Sequence, residues 1–223
     1  MNDLVKIAKT EISNSNKLCV IAGLNVLEDD QLTFEVAERL KKITEAQGNS
    51  FIFKASFDKA NRSSVDSYRG PGLEKGLEIF RELKKSDYQL ITDIHEISQV
   101  EQISEVVDII QIPAFLCRQT DLIKEACQSG KPLNIKKGQF LSPDQMKNII
   151  EKCSNFGNDQ IMLCERGTSF GYDNLVVDML GMSKLKTFNC PIIFDVTHSL
   201  QLPGQGKTAA GGRGDQAEDL AKA

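Results

Sequence analysis

The sequence contains no tryptophan, no C-x-x-C pair among its six cysteines, and no apolar run that approaches the roughly 18 residues of a membrane span. The last absence argues against a membrane partner. The cysteines at 19, 117, 127, 153, 164 and 190 are scattered, which argues against a disulfide framework or a zinc ribbon and fits reduced thiols in a cytoplasmic protein. Cys19 and Cys164 lie inside apolar runs and are expected in the core. Residues 1–10 are polar and lack the apolar stretch of a secretory signal. There is no excess of positive charge: the net charge is −4 and the pI about 5.4, so a general nucleic-acid binder is excluded. There is no low-complexity tract and no linker rich in Pro, Gly or Ser. The 223 residues, 40% hydrophobic and 26% charged, are therefore expected to form one domain, 1–223, with a sizeable core.

What is present is a regular alternation. Apolar runs recur at Leu18–Ala22, Phe51–Phe53, Leu90–Ile91, Ile109–Ile112, Leu133–Ile135, Ile161–Leu163 and Ile192–Val196. Between them lie stretches of helical periodicity: Gln31–Glu45, Leu73–Leu83, Ser98–Val107, Thr120–Cys127, Pro143–Cys153 and Asn174–Met182, with Asp215–Ala223 at the end. Ser142 is a good N-cap and Pro143 suits the first helical position. Apolar runs without polar alternation, joined by helices, mean parallel strands buried on both faces. Seven such units favour a (β/α) barrel over an open doubly wound sheet. No G-x-G-x-x-G follows the first run, which weighs against a dinucleotide fold.

In a barrel, chemistry sits at the C-terminal ends of the strands. The second strand leads into a long loop, Phe51–Gly72, carrying Lys54, Lys59, Arg62 and Arg69 among Ser56, Asn61, Ser63 and Ser64. A solvated surface loop could carry the same charges. Leaving a buried strand tilts the reading toward an anion site, since Lys and Arg both suit phosphate oxygens. The other ends agree. They supply Gly23-Leu24-Asn25, then Asp93, His95 and Glu96, then Gln111, then Asn134, Lys136 and Lys137, then Glu165 and Arg166, then Asp195, Thr197 and His198. Taken singly, His95 and His198 are more often hydrogen-bonded structural histidines. As a set, strand ends that converge cations on one face point to a site for anionic ligands.

These residues also carry a family resemblance. Lys54–Ser64 (KASFDKANRSS), Tyr68–Gly72 (YRGPG), Thr92–Glu96 (TDIHE), Gln111–Leu116 (QIPAFL), Arg118–Asp121 (RQTD), Glu165–Gly167 (ERG), Phe170–Leu175 (FGYDNL) and Phe194–His198 (FDVTH) resemble the signature of the KDO-8-phosphate synthase family. The likeness runs from about residue 18 to the end. It implies a TIM (β/α)8 barrel and the condensation of phosphoenolpyruvate with D-arabinose 5-phosphate, in a homotetramer without a cofactor. It implies that Lys54, Lys59, Gln111, Lys136 and Arg166 surround phosphoenolpyruvate. Asn61, Arg62 and Ser63 would hold the sugar phosphate, with Arg62 and Ser63 reaching a neighbouring subunit's site. His198 would lie near the reacting carbons, with Ser56 and Asp93 beside the substrates and Asn25 among the catalytic residues. Lys136 is the candidate proton donor to the aldehyde oxygen, although a lysine there could also act as a counter-charge.

Two departures from the family pattern matter. Its metal-dependent members carry Cys after the first strand, where this chain has Asn25, so no metal is expected. The family also continues for roughly one more strand and helix. This chain ends at Ala223, so seven units are expected and the eighth is expected to be missing. Two other readings stay open: a sister aldolase that uses erythrose 4-phosphate, and a truncated, non-catalytic remnant.

Overall fold

The structure, a computed structural model, describes residues 3–203 and 211–223. Its centre is a seven-stranded, all-parallel sheet that curls into a barrel wall: β1 (Cys19–Gly23), β2 (Ser50–Lys54), β3 (Leu90–Asp93), β4 (Ile109–Ile112), β5 (Leu133–Lys136), β6 (Ile161–Glu165) and β7 (Ile192–Phe194). Each strand pairs with its neighbours in chain order, from Cys19 opposite Ser50 to Phe194 opposite Glu165. Helices return the chain between them: α1 (Asp30–Ala46), α2 (Leu73–Lys85), α3 (Val100–Ser104), α4 (Thr120–Gln128), α5 (Met146–Asn155) and α6 (Met179–Lys186). Parallel strands require such crossovers, and the crossovers cover the outer face of the sheet.

Burial follows position in the sheet. Every residue of β3, β4, β5 and β6 is buried, as runs without polar alternation require. The edge strands β1 and β7 are half-exposed. Cys19, expected in the core, is therefore only partly buried, whereas Cys164 is buried, and all six cysteines are free thiols. Helix α1, packed on β1 and β2, shows the same effect: Thr33, Ala37 and Thr44 are buried while Ile43 is exposed. Its N-terminus is fixed by Asp29, whose carboxylate accepts from Leu32 N at 2.8 Å.

Some local structure departs from the periodicity. The expected helix over Ser98–Val107 is a single 3-10 turn, Ile97–Gln99, followed by the five residues of α3. The start of the expected Asn174–Met182 helix is extended instead: Leu175–Val176 pairs with Thr168–Ser169, and α6 begins only at Met179. Val196, read as the end of the last strand, starts a short helix, α7 (Val196–Ser199). The final helix is a 3-10 turn, Gly214–Gln216, leading into α8 (Ala217–Lys222).

An N-terminal hairpin, Leu4–Ile7 with Thr10–Ser13, precedes the first expected element. Its alternating Val5, Ile7 and Ile12 pack against Ile52, Ile91, Ile109 and Met162, forming a second apolar cluster. The four partners lie on four different barrel strands, so the hairpin seals the interior of the sheet. The polar strand ends gather at the other end.

Candidate active site

The candidate side chains stand at the C-terminal ends of the strands, and two carboxylates organise them. Asp93, the last residue of β3, is buried and accepts a hydrogen bond from Ser56 Oγ, which in turn accepts from Lys59 Nζ at 2.7 Å. The other Asp93 oxygen lies 3.3 Å from His95 Nε2. Burial opposes ionisation of Asp93, but the His95 bond and the charges of Lys59 and Lys54 outweigh it and hold the carboxyl far below its usual range. The same crowding acts on Lys59. Burial, together with Lys54, Lys136 and Arg62, brings its ammonium down to about 8 against the pull of Asp93.

Asp195, directly after β7, is the second organiser. It accepts from Lys136 Nζ at 2.5 Å and, through its other oxygen, from the backbone N of His198 at 3.0 Å, so it caps α7. His198 Nδ1 lies 2.8 Å from Asp195 Oδ2, off the alignment of a hydrogen bond. Burial outweighs that carboxylate and lowers His198 to about 4, so the ring is neutral at neutral pH. Burial likewise opposes the charge on Asp195, and the Lys136 ammonium outweighs it.

Arg166 follows β6 and is buried. Its Nη2 donates to Gln201 Oε1 at 2.8 Å, while Nε and Nη1 are buried and find no partner among the described residues. Two unpaired guanidinium donors in a buried setting are costly unless an anion takes them. Gln111, at the end of β4, is buried and its Oε1 accepts from Asn134 Nδ2 at 3.2 Å.

Lys54 lies near enough to bear on the ionisation of Lys59, Asp93 and His198, and Lys136 on that of Lys59 and His198, while Arg166 feels the charge of Asp195. Ser56 joins them through hydrogen bonds. Arg62 is half-buried and donates through Nε to Tyr68 O at 3.3 Å. Asn61 and Ser63 are exposed on the same loop and take no part in the bonds that join the others. Asn25 is exposed in a bend after β1, where Leu24 N donates to Lys54 O and Leu27 N to Ser56 O, both at 2.9 Å. Gly23 makes this approach possible, since a Cβ there would sit 2.1 Å from Lys54 O.

Arg69 departs from the reading of the loop's four cations as parts of an anion site. Its guanidinium pairs with Asp58 through both Nε (2.8 Å) and Nη2, on the exposed side. Three cations of the loop remain for the site. Sequence reasoning passed over Asp195, Gln201 and Asn134 as site residues. Asp195 and Asn134 were visible as strand ends, but nothing local marks them as partners of Lys136 and Gln111. Gln201 reaches Arg166 from a short strand that pairs with Gly211–Gly212. Among the described residues, no group of three His, Cys, Asp or Glu side chains is placed to hold a metal ion.

A barrel of parallel strands whose ends converge lysines and a half-satisfied arginine on one face is built for anionic ligands, and comparison with known proteins gives it a family. The chain belongs to the DAHP synthetase I family, whose model matches residues 4–222. It is 54% identical over 219 residues to the 2-dehydro-3-deoxyphosphooctonate aldolase of Hahella chejuensis (strain KCTC 2396), a match that covers 98% of this chain and 78% of that protein. Proteins of the same name from Pseudomonas syringae pv. syringae (strain B728a) and Pseudomonas putida (strain GB-1) are 54% and 53% identical over 221 residues, covering 99% of this chain and 79% of each relative.

Proposed function

We propose that this chain condenses phosphoenolpyruvate with D-arabinose 5-phosphate and water, giving 3-deoxy-D-manno-octulosonate 8-phosphate and inorganic phosphate. The observation that carries this reading is the buried guanidinium of Arg166, with two nitrogens unpaired among the described residues, at the same strand-end face as Lys54, Lys59 and Lys136. The names of the relatives support the octulosonate product over the erythrose 4-phosphate alternative. Lys54, Lys59, Gln111, Lys136 and Arg166 hold phosphoenolpyruvate. Asn61, Arg62 and Ser63 hold the sugar phosphate. Ser56 and Asp93 fix Lys59 from below.

Carbon 3 of phosphoenolpyruvate attacks the sugar aldehyde, forming the new C–C bond and leaving negative charge on the aldehyde oxygen and positive charge at carbon 2. Water adds at carbon 2 and gives up a proton. The bond from carbon 2 to the phosphate oxygen then breaks as the carbon 2 hydroxyl gives its proton to the departing phosphate and becomes the ketone, and inorganic phosphate leaves. Lys136 protonates the aldehyde oxygen, held in place by Asp195. Neutral His198 and Asn25 sit beside the reacting carbons as hydrogen-bonding groups. Fixed charges that orient two anionic partners supply most of the rate in such a step.

The active form is a homotetramer in which Arg62 and Ser63 reach a neighbouring copy's site. Large apolar side chains exposed on the loops after the strands, Ile97, Phe115, Phe140 and Phe170, support contact at this face. The six free thiols support a cytoplasmic setting; no helix among the described residues is long and apolar enough to cross a membrane. The test is phosphate release by the purified chain with each sugar phosphate. Release that requires both phosphoenolpyruvate and arabinose 5-phosphate is expected. Faster release with erythrose 4-phosphate, or none with either, overturns the proposal. Light scattering reads the oligomeric state.

A further inference from the structure

Beside the substrate residues lies a buried ion pair that the reaction does not use. Lys137 follows β5, and its backbone N donates to Cys164 O at 2.8 Å. Its side chain is fully buried. Nζ donates to Thr168 Oγ1 at 3.0 Å and to Leu141 O at 3.3 Å, and stands 3.6 Å from Glu165 Oε1. That same Glu165 oxygen accepts from the backbone N of Arg166 at 2.9 Å and of Gly167 at 2.6 Å. Gly167 holds φ at +88°, a left-handed conformation that suits glycine. The turn carrying Arg166 is thus latched to one carboxylate oxygen, and Lys137 ties that oxygen's neighbourhood to the loop after β5.

A buried carboxylate beside an anion site opposes ligand binding unless its charge is met, and buried pairs are poor stabilisers compared with apolar residues of equal volume. Its use here must be geometric. We propose that Lys137 and Glu165 are a positioning pair that fixes the guanidinium of Arg166, so that Nε and Nη1 face the bound anion while Gln201 holds Nη2. The proposal rests on the reading of Arg166 as a phosphoenolpyruvate ligand. The latch itself can be read without substrate.

The test compares three variants by calorimetric titration with phosphoenolpyruvate and, separately, arabinose 5-phosphate. Lys137→Met/Glu165→Leu removes both charges and the acceptor at near-constant volume. Its Kd for phosphoenolpyruvate is expected to rise about 10- to 100-fold, the usual effect of losing a group that orients a binding side chain, with sugar-phosphate affinity unchanged. Lys137→Met/Glu165→Gln restores a neutral acceptor for the two backbone N–H groups and should recover most of the affinity. Glu165→Asp keeps the charge but shortens the reach, and should weaken phosphoenolpyruvate about tenfold even if the apolar pair does not fold. Unchanged phosphoenolpyruvate affinity in the folded apolar pair or in Glu165→Asp, or equal loss for both ligands, overturns the proposal. A substrate-free measurement separates this from the functional reading: the Arg166 Nε–H resonance, assigned with Arg166→Lys, should be slowly exchanging in the unmodified protein and lose that protection in Glu165→Asp. If the resonance responds but the unmodified chain does not bind phosphoenolpyruvate, the functional reading fails and the positioning pair stands. If it does not respond, the pair has no such role.

Discussion

Lys136 Nζ donates to Asp195 Oδ2 at 2.5 Å, joining the end of β5 to the residue after β7 across the intervening β6. Both side chains are largely buried, at 6% and 15% exposure. The carboxylate also caps α7, so one residue sets the lysine and the backbone that carries His198.

Asp195→Asn keeps an acceptor but removes the counter-charge. Its kcat should fall about 10- to 100-fold, as for other orienting partners, with little change in sugar-phosphate affinity. Asp195→Ala leaves a buried ammonium unpaired and should cost about 3–5 kcal/mol of stability, read by denaturant unfolding. Lys136→Met should lower kcat strongly. A raised KM with kcat intact would instead make the lysine a ground-state binder only.

Arg62→Ala should weaken arabinose 5-phosphate far more than phosphoenolpyruvate, by about 2–4 kcal/mol, or roughly 30- to 1000-fold, for a lost bidentate charge-assisted contact. Calorimetry with each ligand alone checks the split. Equal weakening of both would show that this loop does not divide the two phosphates.

Lys59 predicts an alkaline limit. Its pKa is about 8 in the folded chain against an ordinary 10.5, so as pH rises the folded protein loses this proton first. Between those values the group makes folding more favourable with rising pH, while anion affinity falls as its charge is lost. Phosphoenolpyruvate affinity should therefore decline above about pH 8, and Lys59→Arg, which stays charged, should move that limb upward. A decline at the same pH in Lys59→Arg would assign it to another group.

His198 predicts an acid limb in stability. Its folded pKa of about 4 lies below the ordinary 6.5, so the unfolded chain binds the proton first as pH falls. Stability is lost between about 6.5 and 4, at no more than about 1.4 kcal/mol per pH unit for one proton. His198→Gln should flatten that window in chemical unfolding series, leaving the steeper loss at lower pH where Asp93 and Asp195 take up protons.

Asn25 predicts behaviour toward chelators. A neutral amide is a poor donor for zinc or iron compared with thiolate, so phosphate release should survive exhaustive chelation. Loss of activity that added manganese or zinc restores would overturn the metal-independent reading. Asn25→Cys, assayed for bound metal, checks whether this position corresponds to the cysteine of metal-dependent relatives.

The sequence determined the barrel because its signal is local and repeated. Seven apolar runs without polar alternation, joined by helices, favour parallel strands in a barrel, and each ended in polar residues that the parallel direction must bring to one side. Lys54, Lys59, Lys136, Arg166 and His198 could be placed at one end of the barrel for that reason. Only the tertiary structure decided which charges meet. It turned Arg69 outward to Asp58, gave Lys136 to Asp195 across a strand, and latched Arg166 through Glu165 and Lys137. Periodicity also misread Asn174–Met182, where Leu175–Val176 pairs with Thr168–Ser169 rather than starting a helix. Pairing partners far apart in sequence leave no trace in local pattern, since the energy that selects them comes from burial and desolvation in the folded barrel.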